Sequence, residues 1–337
     1  MAKSPDSLHL RRAQELAERG RFRVAPNPMV GCVVVKGGRV VGEGGHEYLG
    51  GPHAERNALA AAGAKAKGAT VYVTLEPCDH QGRQPPCTEA LIEAGVKEVV
   101  YGHADPLRAG ARRLRAAGIR VRKARIRLPE PMLGARKRPW VVAKWAMTLD
   151  GRIAAVDGDS KWISDEAARD WAHAEFRGRV DAIIAGAGTV REDDPRLDNR
   201  SGVGGQPLRV LVCGRKKLPD RDADNTLLAV PEGFKIPKGF DAVVCGKKGR
   251  VQPKRLLKEL GKRGCKRVLL EGGPKLIGSF LDKDLVDQLV IFIGPKLVGG
   301  DKAPTEGWHA AGMHVAVEAE HVREQRIGQT TVVEAIL

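Results

Sequence analysis

A histidine, a glutamate and two cysteines at short spacing constrain this chain more than any other feature. They stand as Pro52-His53-Ala54-Glu55, then Glu76-Pro77-Cys78, then Pro86-Cys87. One imidazole and two thiols suit zinc, which takes nitrogen and sulfur ligands tetrahedrally. Three protein ligands leave the fourth position open, which is the catalytic rather than the structural arrangement. Water on such a zinc has a pKa near ~7, so hydroxide is at hand at neutral pH. Glu55 can face the same site without being a ligand and pass the water's proton to a ring nitrogen and a departing amine. The local pattern supports convergence. His53 opens an Ala-rich helical stretch, Cys78 follows a strand and Cys87 precedes the next helix, and helix starts favour thiolate.

His-x-Glu, then Pro-Cys, then a second Cys is the pattern of zinc deaminases. His46 and His80 are further candidates. His80 could be a fourth ligand, but it follows Cys78 by two residues in a Gly/Gln-rich loop, so contact with substrate is the better reading. His173 and His314 read as surface residues. Cys32, Cys213, Cys245 and Cys265 sit in or beside strands as small core residues.

At 337 residues the chain is long enough for about two domains. Its first part alternates strand and helix. Val30–Val35 and Arg39–Gly44 form a hairpin across Gly37-Gly38. Strands Ala69–Leu75, Lys97–Tyr101 and Ile119–Arg122 are interleaved with helices Arg11–Arg19, His53–Ala62, Thr88–Ala94 and Arg108–Ala117, a layered α/β pattern. Pro129, Pro131, Gly134 and Arg136–Arg138 then break it. We place a deaminase domain at 1–124, a linker at 125–138 and a second domain at 139–337. The second begins with strand Trp140–Ala146 and helix Asp165–Arg177, with Ser164 as its N-cap. Further strands are expected at Ala182–Ala185, Leu208–Cys213, Thr226–Val230, Ala242–Cys245, Arg267–Leu270, Gln288–Ile293 and Thr330–Ile336, with a helix at Pro253–Arg263.

The formal net charge is +16, with 25 Lys+Arg against 13 Asp+Glu in residues 1–138. A basic surface favours phosphates, on nucleic acid or on a small metabolite. Aromatic residues make up only 4% and none lies in Pro106–Pro129, which weakens a single-strand-binding role. No apolar run approaches the ~20 residues of a membrane span. Met1–Arg12 has no signal core, so a cytoplasmic protein with reduced cysteines is expected.

Longer motifs now point further. Pro26-Asn27-Pro28-Met29-Val30-Gly31-Cys32, Gly42-Glu43-Gly44-Gly45-His46 and the loop Thr74–Cys87, with eight residues between its cysteines, resemble the bifunctional riboflavin-biosynthesis deaminase/reductase family. In the second half Lys144–Ala154, Ser160–Ser164, Gly188–Leu197 with Arg200, Glu271–Leu276 and Gly294–Gly300 resemble the same family's reductase domain. The resemblance spans roughly residues 7–300 and implies an α/β protein. Its N-terminal domain would be cytidine-deaminase-like α/β/α and its C-terminal domain dihydrofolate-reductase-like α/β. It implies zinc and NADPH as cofactors and a small phosphorylated pyrimidine as substrate, with no nucleic acid or membrane partner and a homo-oligomeric state. Deamination of 2,5-diamino-6-(5-phosphoribosylamino)pyrimidin-4-one would precede hydride transfer that turns ribosyl into ribityl. By motif, Ala146, Trp162, Thr189, Asp193 and Gly273, Pro274, Lys275, Leu276, Ile277, Gly278 and Ser279 would face the cofactor. Ser160, Arg177, Leu197, Arg200 and Glu271 would face the ribose phosphate. Asn27, His46 and His80 would face the pyrimidine beside His53, Glu55, Cys78 and Cys87.

The residues bear independent readings too. Arg177 and Arg200 offer planar, permanently charged forks suited to phosphate. Glu271-Gly272-Gly273-Pro274 reads as a strand-to-helix turn with Pro at the first helical position, open to close approach by a pyrophosphate. Gly186-Ala187-Gly188 is followed by Arg191 where a Rossmann fingerprint needs glycine, so a Rossmann domain is not supported. A nucleic-acid-binding base editor using the basic Arg108–Arg127 stretch is the competing reading; the long cysteine loop and the reductase half oppose it.

Overall fold

The computed structural model describes residues 5–82, 84–105, 109–124, 138–193, 195–214, 223–247 and 249–337. All but Arg138 of the expected linker 125–138 lies outside these, as do Pro106–Arg108 and the side chain of Asp193. The chain divides into two units, Met1–Ala135 and Arg136–Leu337.

In the first unit, β-branched strands alternate with alanine-rich helices. The elements are α1 (Pro5–Glu18), β1 (Gly31–Lys36), β2 (Arg39–Gly45), α2 (Ala54–Ala62), β3 (Thr70–Leu75), α3 (Cys87–Glu93), β4 (Glu98–His103), α4 (Ala111–Ala116) and β5 (Arg120–Lys123). The β1–β2 hairpin turns at Gly37 and Gly38, both at positive φ, the conformation glycine supplies without strain. The sheet runs β2-β1-β3-β4-β5, antiparallel on the β2 side and parallel from β3 to β5. Alternate residues of β1 face opposite layers. Val33 and Val35 pack on Leu10, Ala13 and Leu16 of α1, whereas Cys32 and Val34 share a core with Ala54 and Ala58 of α2. Both faces are covered, giving three α/β/α layers. Helix α2 lies directly on β2, since a Cβ at Gly42 would fall 2.3 Å from the Ala58 carbonyl. Small residues on both sides of that contact therefore set how close the start of α2 lies to the sheet.

The second unit contains β6 (Trp140–Thr148), α5 (Glu166–Glu175), β7 (Ala182–Gly186), α6 (Ala187–Asp193), β8 (Leu208–Val212), β9 (Thr226–Pro231), β10 (Asp241–Lys247), β11 (Arg250–Val251), α7 (Pro253–Lys262), β12 (Arg267–Leu270), α8 (Pro274–Leu281), β13 (Gln288–Gly294), β14 (His321–Ile327) and β15 (Thr330–Ile336). They build one ten-stranded sheet, β11-β10-β9-β8-β7-β12-β6-β13-β15-β14, parallel from β10 to β13. In such sheets ligands bind beyond the carboxyl ends of the strands.

Several expectations need correction. The α5 N-cap is Asp165, not Ser164: its carboxylate accepts from Ala168 N at 2.9 Å and also from the Gln329 and Thr330 backbones. Helix α5 stops at Glu175, and Arg177–Arg179 continue as a 3₁₀ turn. Helix α6 and edge strands β11 and β14 are additional. Strand β14 escapes a hydrophobic pattern because an edge strand can stay largely exposed. His173 is buried, not on the surface. Among the described residues no helix is long and apolar enough to cross a membrane.

Candidate active sites

The ligand atoms of His53, Cys78 and Cys87 lie within 4.8 Å of one another. His53 Nδ1 is 3.2 Å from Cys87 Sγ and 3.6 Å from Cys78 Sγ. Tetrahedral nitrogen and sulfur ligands around one zinc stand roughly 3.5–3.8 Å apart, so the donor set fits that ion. His53 is the N-cap of α2 and Cys87 the first residue of α3. Cys78 leaves β3 through a loop that is pinned from several sides. Cys78 O accepts from Thr88 N at 3.3 Å, and Asp79 takes the Thr88 hydroxyl and Arg113 at 2.7 Å each. Glu76 accepts from Ala111 N at 3.0 Å, satisfying an otherwise free amide at the start of α4.

The electrostatics are those of a shared-charge centre. A hydrogen bond from Cys87, followed by the His53 contact, draws the Cys78 thiol well below the usual range. The same bond and burial push Cys87 up. Burial, then the charge of Cys78, raises Glu55 above the ordinary carboxyl range, as suits a group that holds and returns a proton. A cavity of about 60 Å³ adjoins these groups, and Asn27, His46, His80 and Asp105 also line it. His46 Nδ1 donates to the Pro52 carbonyl at 3.0 Å, so its Nε2 accepts from the Asn27 amide at 3.2 Å. Burial holds the His46 pKa down to about 4. His80 Nδ1 is buried without a partner. The sequence-predicted residues of this half are thus gathered at one place.

The second unit holds a cleft of about 1040 Å³. Of the residues singled out in this half of the sequence, Ala146, Ser160, Arg177, Thr189, Leu197, Glu271, Gly273, Pro274 and Ile277 line it. Trp162, Lys275, Leu276, Gly278, Ser279 and Arg200 do not. Trp162 is 64% exposed, at φ 61, with the Arg169 guanidinium 4.3 Å over its ring. Lys275 pairs with Glu306 on the surface, and the Ser279 hydroxyl donates back to Leu276 O at 2.7 Å. Gly278 lies against the Glu306 backbone and Leu276 folds over Gly272. Helical periodicity explains this: from α8 only the start and the residue one turn on can face the cleft. Leu197 holds a positive φ of 51, strained for a leucine, beside an Asp198 carbonyl that accepts from Arg177 at 3.1 Å.

Lys144 and the segment Asp301–Glu306 also line the cleft and were not anticipated as site residues. Lys144 did sit inside a motif, but strand periodicity alone does not separate a cleft-facing lysine from a solvated one. Lys144 Nζ is 3.5 Å from Glu271 Oε1, and Arg177 gives Glu271 Oε2 two hydrogen bonds, 2.7 and 3.1 Å. Burial alone would raise the Glu271 pKa, but these cations hold it at about 2. The backbone at Gly273 is open: an added Cβ would meet only Thr189 Oγ1, at 3.4 Å.

Comparison with known proteins agrees with this division. Residues 3–103 match the cytidine and deoxycytidylate deaminase zinc-binding region, and residues 139–333 match the RibD C-terminal domain. Riboflavin biosynthesis protein RibD of Actinobacillus pleuropneumoniae is 40% identical over 325 residues, 89% of this chain and 86% of that protein. The Escherichia coli (strain K12) protein of the same name is 38% identical over 328 residues, 88% of this chain and 89% of its own. A crystal structure from Thermotoga maritima, described as a diaminohydroxyphosphoribosylaminopyrimidine deaminase/5-amino-6-(5-phosphoribosylamino)uracil reductase, superposes with TM-score 0.70 at 35% identity, covering 98% of each chain. Acinetobacter baumannii RibD gives TM-score 0.71 at 33% identity, again over 98% of both chains. With a cytidine-deaminase-like zinc domain and a dihydrofolate-reductase-like, NADPH-using domain in one polypeptide, the chain belongs to the RibD family of bifunctional deaminase/reductases of riboflavin biosynthesis.

Proposed function

We propose that the first unit converts 2,5-diamino-6-(5-phosphoribosylamino)pyrimidin-4-one to 5-amino-6-(5-phosphoribosylamino)uracil and that the second reduces the ribosyl group of that product to ribityl. The observation that carries this reading is the convergence of His53, Cys78 and Cys87 beside a buried Glu55 in a chain that also holds the Glu271–Gly273 cleft. His53, Cys78 and Cys87 would hold zinc, which when bound makes a water acidic near neutral pH. Glu55, buried beside these ligands, would carry one proton from the attacking water to the ring nitrogen and a second, from the hydroxyl left on the carbon, to the departing amine. Asn27 has its amide nitrogen engaged by His46, which leaves its Oδ1 to accept from the pyrimidine; His80 Nδ1 is a second polar contact.

In the second unit NADPH supplies hydride when bound. Gly273 and Pro274, with Ala146 and Thr189, form the wall that would receive it, and the positive end of the α8 dipole favours its pyrophosphate. Trp162, Asp193, Lys275, Leu276, Gly278 and Ser279 belong to this reading only through motif resemblance. Ser160, Leu197, Lys144 and Glu271 would position the ribose, and Arg200, which lies outside the cleft lining and joins this reading through motif resemblance, would meet its phosphate. The boundary between the two activities falls in residues 125–138. All six cysteines are free, in keeping with a cytoplasmic enzyme that acts on a small phosphorylated pyrimidine; we also expect a homo-oligomer.

The test supplies purified protein with the diaminopyrimidine alone, then with NADPH. Ammonia release without NADPH, and NADPH oxidation only once the deaminated pyrimidine has formed, is the expected order. NADPH oxidation by the undeaminated compound at an equal rate would overturn it.

A further inference from the structure

His173 plays no part in the chemistry above, yet it is only 7% exposed and sits among charges near the end of α5. Arg177, Arg200, Glu271 and Asp198 all face it. Arg200 Nη2 is 2.9 Å from His173 Nε2, and the Arg200 backbone nitrogen is 3.3 Å from Nδ1. Arg177 Nη1 lies 3.5 Å from the same Nε2. A neutral imidazole has one N–H and one lone pair, and Arg offers only donors. The lone pair therefore belongs on Nε2, at the shorter and charged contact, and the Arg200 backbone nitrogen beside Nδ1 is a close approach rather than a second accepted bond. Burial, then repulsion by Arg177 and Arg200, lowers the His173 pKa to about 4, so the imidazole is neutral near pH 7.

The two arginines differ in what remains of their charge. Arg177 spends Nε and Nη2 on Glu271 and gives Nη1 to the Asp198 carbonyl. Its fork is closed by a carboxylate. Arg200 is 59% exposed and reaches a carboxylate only at 3.6 Å, on an Asp198 whose other oxygen pairs with Arg196 at 2.9 Å. Its close partner is an uncharged ring. A carboxylate in that position would neutralise Arg200 as Glu271 neutralises Arg177. A neutral acceptor orients the guanidinium and leaves its charge for an anion.

We propose that His173 is a positioning residue of the reductase reaction, a neutral acceptor that aims Arg200 at the substrate's phosphate without consuming its charge. The proposal rests on the reading that the phosphate meets Arg200. The experiment is NADPH oxidation with 5-amino-6-(5-phosphoribosylamino)uracil, reading KM for each substrate and kcat separately. H173L, which cannot accept, should raise KM for the phosphorylated pyrimidine about tenfold, with kcat and the NADPH KM within about twofold of the parent. H173Q keeps a neutral acceptor and should restore most of that KM. H173E holds Arg200 but cancels its charge, and should raise KM at least as much as H173L. If glutamate substitutes as well as glutamine, or if kcat and NADPH affinity fall together with KM, His173 is merely structural and the proposal is overturned. R200Q separates the two layers. An unchanged KM in R200Q removes the phosphate from Arg200, and both readings fall. A raised KM in R200Q with a normal one in H173L overturns the role of His173 alone. Deamination and melting temperature report folding; if H173L does not fold, the H173Q against H173E comparison decides.

Discussion

Glu55 in the first unit is buried and Glu271 in the second is largely so, yet their protons are held in opposite ways. Burial and the neighbouring Cys78 raise Glu55, whereas Arg177 and Lys144 overcome burial and hold Glu271 at about 2. Environments that push two carboxyl groups apart in this way separate their roles. Glu55 can carry a proton. Glu271 is a fixed negative charge that organises the cations around it. The two sites differ to match. One is a cavity of about 60 Å³ beside three convergent ligands, and the other a cleft of about 1040 Å³ lined from Lys144 to Glu306. Bond-making at a metal demands particular side chains at one point, whereas recognition of two extended ligands is spread over many residues and partly over backbone.

The contrast can be broken at several places. The largest effect is expected from Cys87→Ala. It removes one of three ligands, so elemental analysis should show far less than the parent's expected zinc, about one per chain, and deamination should vanish while NADPH oxidation persists. Full zinc occupancy in that variant would remove Cys87 from the ligand set. Glu271→Gln strips the partner from Arg177 and Lys144, and breaking such a buried pair costs on the order of 3 kcal/mol. Denaturant unfolding of the second unit measures it. The pH dependence follows from the depressed pKa. The pair's stabilisation is fully present above the unfolded carboxyl range near ~4 and fades as pH falls toward about 2. Acid titration of the glutamine variant should lack that component, and an identical acid profile would remove Glu271 as its source.

Gly273→Val sharpens the comparison from the cofactor side. The new Cβ fits at 3.4 Å from Thr189 Oγ1, so the fold should tolerate it, but its methyls enter the wall of the cleft. We expect KM for NADPH to rise about tenfold, as overpacking that costs roughly 1–3 kcal/mol would give, with deamination unaffected. Unchanged NADPH affinity in a folded protein would move the pyrophosphate site elsewhere, for instance to Gly186–Thr189. Asp165→Ala should give the smallest effect, about 1–2 kcal/mol of second-unit stability from the lost N-cap. Asp165→Asn should recover part of it in the same melt.

What was legible in the sequence follows the same division. His53, Glu55, Cys78 and Cys87 could be read because zinc chemistry restricts residue type and spacing. The hairpin at Gly37-Gly38 and the Pro274 helix start were legible as local backbone chemistry. Other features depend on partners far along the chain. Asp165 displaces Ser164 as cap because Gln329 and Thr330 donate to it from the β14–β15 turn. Arg177 cannot present a free phosphate fork because Glu271 reaches it across the sheet. His173 has the composition of a surface helix residue and becomes buried only when Arg177 and Arg200 close over it. Lys275, Leu276, Gly278 and Ser279 share a motif with Gly273, but the turn of α8 points them elsewhere.

The central claim is that one chain houses two independent sites, with Glu55 acting in only one of them. Glu55→Gln tests it most directly, because glutamine keeps the shape and removes the proton carrier. Ammonia release from the diaminopyrimidine and NADPH oxidation with supplied 5-amino-6-(5-phosphoribosylamino)uracil should be measured on the same preparation. The account predicts that deamination falls by roughly 10²–10⁴-fold or more, while reduction keeps its parent kcat and KM. Equal loss of both activities in a folded, zinc-loaded protein would contradict it.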